Sequence, residues 1–263
     1  MDKNSLAIEQ ILAQGDPALR WRAARMMRGE SRLPQMEVIA RQNADGGARC
    51  PFAETPVSSV GATSRMLCAM AFWGVGDSEE CCRGVEFAWK HQQPDGRWTE
   101  APVPGSSPPP WFMPGHLPVD LWVTANMVAA LAALGYCDDP RLRKAIEWVE
   151  RHVQPDGGFP GYIHTTFGMA SVHYRMGAMD RAEPHLRHAL AFLQPKSDIH
   201  DINWGLLCFY IGTVPKEHPT VTAYLDRLVD TQGEDGLWPT IYTDARQYLA
   251  MDALELLHAY RRL

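Results

Sequence analysis

Apolar positions recur along this chain in two alternating textures. In the first they fall three and four residues apart and leave a charged face. Glu80–His91, Arg141–Val153, Ala182–Leu193 and Thr220–Thr231 read this way. Their stripes are Val85, Ala88 and Trp89, then Leu142, Ile146 and Val149, then Leu186, Leu190 and Leu193, then Leu225, Leu228 and Val229. That spacing predicts amphipathic outer helices. In the second texture nearly every position is apolar or small. Ser59–Trp73, Asp120–Leu134, His164–Met176, Asp201–Gly212 and Asp244–Tyr260 are rich in Ala, Met, Gly and Ser. A helix that is apolar all round is buried all round, so these predict inner helices. An N-terminal pair, Ser5–Leu12 and Pro17–Met27, brings the total to five or six hairpins.

Four short peptides separate the helices: Gln42-Asn-Ala-Asp45-Gly46-Gly47, Gln93-Pro-Asp95-Gly96-Arg-Trp98, Gln154-Pro-Asp156-Gly157-Gly158-Phe159 and Gln232-Gly-Glu-Asp235-Gly236-Leu-Trp238. Each reads Gln, then Asp-Gly, and three of them add an aromatic residue. Gly takes the left-handed conformation that ends a helix, and Asp bonds local backbone. Gln and the aromatic are left to tie the turn to a neighbour. A turn cassette recurring between helix pairs marks a repeat architecture. Outer amphipathic and inner apolar helices in alternation predict an all-α fold, an (α/α)6 toroid of helical hairpins forming one domain over residues 1–263.

Composition narrows the partners. The chain has 263 residues, 46% hydrophobic and 21% charged, with net charge −6. A nucleic-acid binder usually carries a basic stripe. The one basic cluster, Arg20, Arg22, Arg25 and Arg28, reads as the solvated face of a helix, so no nucleic acid is expected. No signal peptide and no apolar run of about 18 residues is seen, which predicts a cytoplasmic protein without a transmembrane segment. Peripheral membrane contact is left open. The six cysteines form no CxxC pair. Cys68, Cys137 and Cys208 lie in apolar helical text and read as reduced core residues.

The Gln-x-Asp-Gly-x-Trp cassettes resemble the QW repeats of squalene–hopene cyclases and the related repeats of protein prenyltransferase β subunits. The resemblance covers roughly residues 40 to 260. It implies the terpenoid cyclase/prenyltransferase-like fold. It does not carry over the chemistry, because the cassette is structural in that superfamily. The Asp-x-Asp-Asp motif with which triterpene cyclases protonate an alkene is absent, and Asp138-Asp139, followed by Pro140, reads as a helix-stop turn. The Asp-x-Cys zinc pair of the prenyltransferases is absent too. No cofactor and no partner subunit is expected.

Aligning the repeats places the starts of the inner helices on one rim. Asp120 and Trp122, His164, His200 and Asp201, and Asp244 fall there. One turn deeper come Phe167, Trp204 and Tyr248, then Met127 and Cys208. Apolar and aromatic walls below a few polar groups are the usual composition of a small-molecule site. In the acid–base reading, a carboxylic acid kept protonated by apolar surroundings protonates a small hydrophobic, isoprenoid or polycyclic, substrate. Asp201 is the leading acid, with His164 or Asp244 as its partner. Aromatic rings would stabilise developing positive charge by on the order of 1–2 kcal/mol each. A cyclase, isomerase or lyase fits.

Two rivals stand beside this. His164, His200 and one or two of Asp120, Asp201 and Asp244 could instead gather from different repeats around zinc or iron, although no HxxxH or HxH spacing supports it. Or the acids are only helix N-caps, and the chain is a binding module for an apolar ligand or a peptide. The Pro-rich insertion 101–118 cannot be helix. With Trp111, Phe112, Met113 and His116 it predicts a lid over the apolar site.

Overall fold

The computed structural model describes residues 2–28, 42–53, 56–102, 109, 112–194 and 197–261. These residues are overwhelmingly α-helical, with one short antiparallel ribbon, Ala48–Arg49 against Ser58–Ser59. Eleven α-helices appear among them. They are α1 (Lys3–Gln14), α2 (Pro17–Arg28), α3 (Val60–Trp73), α4 (Glu79–Lys90), α5 (Leu117–Ala133), α6 (Pro140–Glu150), α7 (Ile163–Arg175), α8 (Met179–Phe192), α9 (Ile199–Ile211), α10 (Pro219–Asp230) and α11 (Arg246–Ala259). None is long and apolar enough to cross a membrane.

The two textures behave as their patterns require. Every residue of α5 from Val119 to Ala132 is buried, whereas α6 buries a stripe of Leu142, Ala145, Ile146, Trp148 and Val149. Some expected positions shift. Leu190 and Val229 face outward, and His185 and Tyr224 are buried on those helices. Asp244 lies ahead of α11, in a 3-10 turn over Thr243–Ala245. Asp139 caps the start of α6 by accepting the Arg141 N–H.

The described residues divide into two compact units. Those of Met1–Arg32, Leu190–Leu207 and Pro215–Leu263 make the first, and those of Leu33–Ala189 and Cys208–Val214 the second. In the first, α11 packs on α1 and α2. Here one sequence expectation is overturned. Arg22 is not on a solvated face but is 7% exposed, with Nη2 2.5 Å from Asp252 Oδ1 and 2.9 Å from Glu255 Oε2. Asp252 and Glu255 stand one turn apart on α11 and together meet its fork. In the second unit α5 packs between α3 and α7. Arg175, on α7, donates to the carbonyls of Ala132 and Ala133 at the end of α5 and of Ile211 at the end of α9. One guanidinium thereby bonds the last carbonyls of two helices, where the helical ladder runs out.

The cassettes share one backbone design. Gly46, Gly96, Gly157 and Gly236 all have φ between 81° and 102°. Each donates its N–H to the carbonyl three residues back, at Asn43, Gln93, Gln154 and Gly233. The cassette aspartate accepts the N–H two residues on, as Asp45 does from Gly47 and Asp235 from Leu237. A Cβ on any of these glycines would lie 2.3–2.8 Å from backbone of another helix: Arg83, Lys144 and Pro184 of the outer helix that follows, and Lys3 with Ala7 of α1 for Gly236. Only a side chain of hydrogen lets the turn close on its neighbour.

The glutamine role is also resolved, with a change of register. Gln42 Nε2 donates to Gly46 O and to Glu80 O, and Gln232 Nε2 to Gly236 O and Asn4 Oδ1. In the second cassette the equivalent residue is Gln92, not Gln93, bonding Gly96 O and Arg141 O. The third cassette has Val153 at that place. Its Gly157 carbonyl is taken instead by His185 Nδ1 at 2.6 Å, from α8. In all four, therefore, a side chain holds the glycine carbonyl. The tryptophans complete the lock, with Trp98 Nε1 donating to Ala88 O and Trp238 Nε1 to Leu228 O, each at 2.6 Å. α1 stands to the fourth cassette as α4, α6 and α8 stand to the first three.

Two predictions follow from these locks. Trp98 is fully buried. Trp98→Ala should destabilise the fold by about 3–5 kcal/mol, read as a lower urea midpoint. The second concerns His185 and its neighbour His173, which are 4% and 2% exposed and stack with ring centroids 5.6 Å apart. Burial pushes His173 down to about 3 and lowers His185 as well. Glu150, part exposed and 3.0 Å from His173 Nε2, does not offset that burial. Both rings are neutral in the fold but take up protons in the unfolded chain below about pH 6.5. Stability should therefore fall as pH drops from about 6.5 toward 3. Urea midpoints at pH 7 and pH 5 should differ less in a His173→Gln/His185→Gln double variant than in the parent.

Candidate functional site

Inner helices start where cassettes end, so residues just past a cassette lie beside the first turns of the helix that follows. In the second unit this juxtaposition is explicit. Trp98 donates its N–H to Thr124 Oγ1 at 2.9 Å and accepts from the same hydroxyl at 3.1 Å, which ties the 98–100 segment to α5. Ser59 caps α3 by accepting the Ala62 N–H. Its hydroxyl donates to Glu100 Oε1 at 2.9 Å. Glu100, 3% exposed, also accepts the N–H groups of Val60 and Gly61. Burial raises its carboxyl, those three donors oppose the rise, and the charge of Asp120 adds to it.

Asp120 is the fourth residue of α5 and 2% exposed. It caps nothing there, since His116 holds the N-cap position. Burial raises its carboxyl above the ordinary range, against the pull of the Thr99 hydroxyl and Arg97. Arg97 Nε is 3.7 Å from Asp120 Oδ2. Asp120 Oδ1 is buried with no hydrogen-bond partner among the described residues. An unpaired buried carboxyl oxygen is costly as an anion and much less so as a protonated acid.

A run of aromatic rings extends through the same unit. Phe52 meets Phe112 at 5.0 Å, Phe112 meets Trp122 at 6.3 Å, and Trp122 meets Tyr162 at 6.3 Å and His164 at 6.4 Å. His164 continues to Phe167 at 6.0 Å, and Phe167 to Phe209 at 5.7 Å. Burial raises the Tyr162 phenol. Of the expected substrate-facing residues, Trp122 and Phe112 lie in this run at 9% and 3% exposure, while Phe167, Met127 and Cys208 are fully buried. Trp111 and most of the expected lid, 103–108 with residue 110, lie outside the described residues.

The first unit holds the other candidates. His200 and Asp201 open α9, with His200 Nδ1 3.5 Å from Asp201 Oδ1. Asp198 accepts the His200 N–H and also the Thr240 hydroxyl and the Ile241 N–H, so Asp198 carries the capping. The His200 ring lies 5.5 Å from Trp204 and 5.3 Å from Tyr242. Asp201 is part exposed, at 27%. Asp244 is exposed and lines an open groove of about 480 Å³ with Gln10, Arg246 and Tyr248. The Tyr248 hydroxyl bonds Asp16 at the edge of that groove. The metal reading drew its ligands from several repeats. Within the first unit, His200 and Asp201 set two of the named ligand residues side by side.

Sequence reasoning missed Glu100. Its signal is its place two residues past the cassette tryptophan, where the fourth cassette has Thr240, whose hydroxyl likewise bonds the start of an inner helix, there at Asp198.

The chain matches no established protein-family description. It is 27% identical over 175 residues to squalene–hopene cyclase of Bradyrhizobium diazoefficiens, a stretch that is 66% of this chain and 20% of that protein. Among solved structures, the type II terpene cyclase MstE from Scytonema superposes with a TM-score of 0.54 at 16% identity, over 99% of this chain and 88% of that one. A variant of that cyclase carrying its product, merosterolic acid A, gives 0.57 at 16% identity, over 100% and 88%. A protein from Actinoplanes gives 0.58 at 16% identity, over 98% and 89%. The chain therefore has the all-α fold of the type II terpene cyclases, as its cassettes implied. Within that class its sequence is similar to squalene–hopene cyclase, of whose length it spans about a fifth.

Proposed function

We propose that this chain is a cyclase-type enzyme that acts on an isoprenoid substrate by general acid–base chemistry, with Asp120 as the proton donor. One observation carries the assignment. Of the acids singled out in the sequence, Asp120 is the one that is almost wholly buried, held toward its protonated form, and left with a carboxyl oxygen that no described residue bonds. Asp201, the leading acid on sequence grounds, is part exposed beside His200. The solved relative that binds geranylgeranyl dihydroxybenzoate as its substrate supports an isoprenoid as the class.

In this reading the Asp120 O–H bond breaks and a new C–H bond forms at a terminal alkene. The cation that results is drawn to the next double bond of the same chain, or loses a neighbouring proton. Loss of one proton restores neutrality, Asp120 is reprotonated, and the product is an isomer of the substrate. The aromatic run from Phe112 to Phe167 would favour the cation by on the order of 1–2 kcal/mol per ring that faces it. None of the described cysteines forms a disulfide, which accords with a cytoplasmic enzyme.

The test is turnover of squalene and of geranylgeranyl dihydroxybenzoate, followed by gas or liquid chromatography with mass detection. Asp120→Asn should lower the rate by about 10²–10⁴-fold, the usual worth of a general acid. The same variant should be more stable than the parent at neutral pH. A raised carboxyl means that the parent loses stability as pH rises through its folded value, and asparagine removes that loss. Turnover unaffected by Asp120→Asn would overturn the assignment. Stoichiometric binding of the isoprenoid without turnover by the parent would favour the binding-module reading.

A further inference from the structure

Two of the groups that meet Asp120 stand at cassette positions where the other repeats carry nothing similar. Counted from the Asp-Gly pair, the place of Arg97 is held by Gly47, Gly158 and Leu237, and the place of Thr99 by Arg49, Pro160 and Pro239. Proline offers neither a hydroxyl nor an N–H. The turn itself therefore does not call for a threonine at this place.

The scaffold holds Thr99 from both sides. Trp98, the residue before it, is bonded through its N–H and its carbonyl to the Thr124 hydroxyl, one turn beyond Asp120 on α5. Glu100, the residue after it, accepts from the Ser59 hydroxyl and from the N–H groups of Val60 and Gly61 at the start of α3. Between these anchors the Thr99 hydroxyl donates to the Asp120 carboxyl and accepts the Gly115 N–H at 3.4 Å. The same N–H also meets the Asp120 carboxyl.

The two oxygens of Asp120 are thus unlike. Oδ1 has no hydrogen-bond partner among the described residues. Oδ2 faces Arg97, with Nε at 3.7 Å, and by elimination it takes the Thr99 hydroxyl as well. The oxygen of a protonated carboxyl that accepts hydrogen bonds is its carbonyl oxygen, so the proton belongs on Oδ1. When the Oδ1–H bond breaks and its proton forms the new C–H bond, the electron pair stays on the carboxyl. The charge spreads to Oδ2, where donors already stand. Fixed donors aimed where charge develops favour the transition state over the ground state.

We propose that Thr99 is a positioning residue for the acid: its hydroxyl holds Asp120 through Oδ2, leaves the transferable proton on Oδ1, and receives the charge that proton transfer leaves behind. The inference rests on the acid role given to Asp120. Burial keeps that carboxyl protonated, and Thr99 makes it a stronger acid within that limit. The charged groups facing Asp120 are Arg97, which pulls it toward ionisation, Asp95, which opposes this, and Glu100, whose own carboxyl is raised by the charge of Asp120. Thr99 carries no charge, so replacing it changes a hydrogen bond and leaves the charges as they were.

The experiment compares Thr99→Val, which removes the hydroxyl and keeps the branched shape, with Thr99→Ser, which keeps the hydroxyl. Asp120 is followed by NMR in protein with ¹³C-labelled aspartate carboxyls, its resonance identified by its loss in Asp120→Asn. In Thr99→Val it should titrate about one pH unit higher than in the parent. With geranylgeranyl dihydroxybenzoate, kcat should fall about 10–100-fold at unchanged KM, as for a lost bond to a charged group. The alkaline fall of the pH–rate profile should move up with the titration. Thr99→Ser should restore all three. If Thr99→Val does not fold, Thr99→Ala carries the same expectations. A merely structural Thr99 would lower the urea midpoint and leave the titration and kcat at the parent values, and that result would overturn the inference. Full turnover by Asp120→Asn would overturn the acid assignment and this inference with it. Lost turnover in Asp120→Asn beside an unchanged Thr99→Val would overturn this inference alone.

Discussion

The structure depends on one small interaction, repeated: the carbonyl of a left-handed glycine held by a side chain while the glycine itself presses on a neighbouring helix. An inner helix of this chain is apolar on every face and has no preferred neighbour of its own. The cassette supplies one. Its glycine admits the approach, its aspartate fixes the turn, and the carbonyl that the turn exposes needs a donor. Three times that donor is a glutamine that also reaches the start of an outer helix or the α1 residue beside it. Once it is a histidine from the outer helix itself, so the polarity of the bond survives while its direction reverses.

That interaction was legible in the sequence as a pattern and only partly as a mechanism. Asp-Gly with a flanking aromatic identifies the turns, and alternation of amphipathic and wholly apolar helices gives the hairpins, because both depend on local spacing. Gln92 and Gln93 are indistinguishable by spacing alone, while only Gln92 faces the glycine carbonyl. His185 could not be recognised as the stand-in, since nothing in a sequence shows that Val153 has left a carbonyl unsatisfied. Arg22 was misread for a similar reason. Its partners, Asp252 and Glu255, lie about 230 residues away along the chain.

The candidate site shows the same division. The repeat spacing alone puts acids at inner-helix starts. Ranking them was not, because rank depends on burial and on donors. Asp201 and Asp244 keep contact with water, whereas Asp120 sits on the all-apolar α5, so one residue type at similar repeat positions meets three environments. Glu100 escaped notice because its importance comes from the backbone N–H groups of α3, which carry no signature of their own.

The central claim is that a protein carboxyl delivers a proton to carbon, and isotope labelling tests it most directly. The protein is equilibrated in D₂O, given a linear isoprenoid, and the product is analysed by mass spectrometry. The account predicts an isomer of the substrate carrying one deuterium on carbon, at the former alkene terminus. A product that forms without deuterium would contradict it.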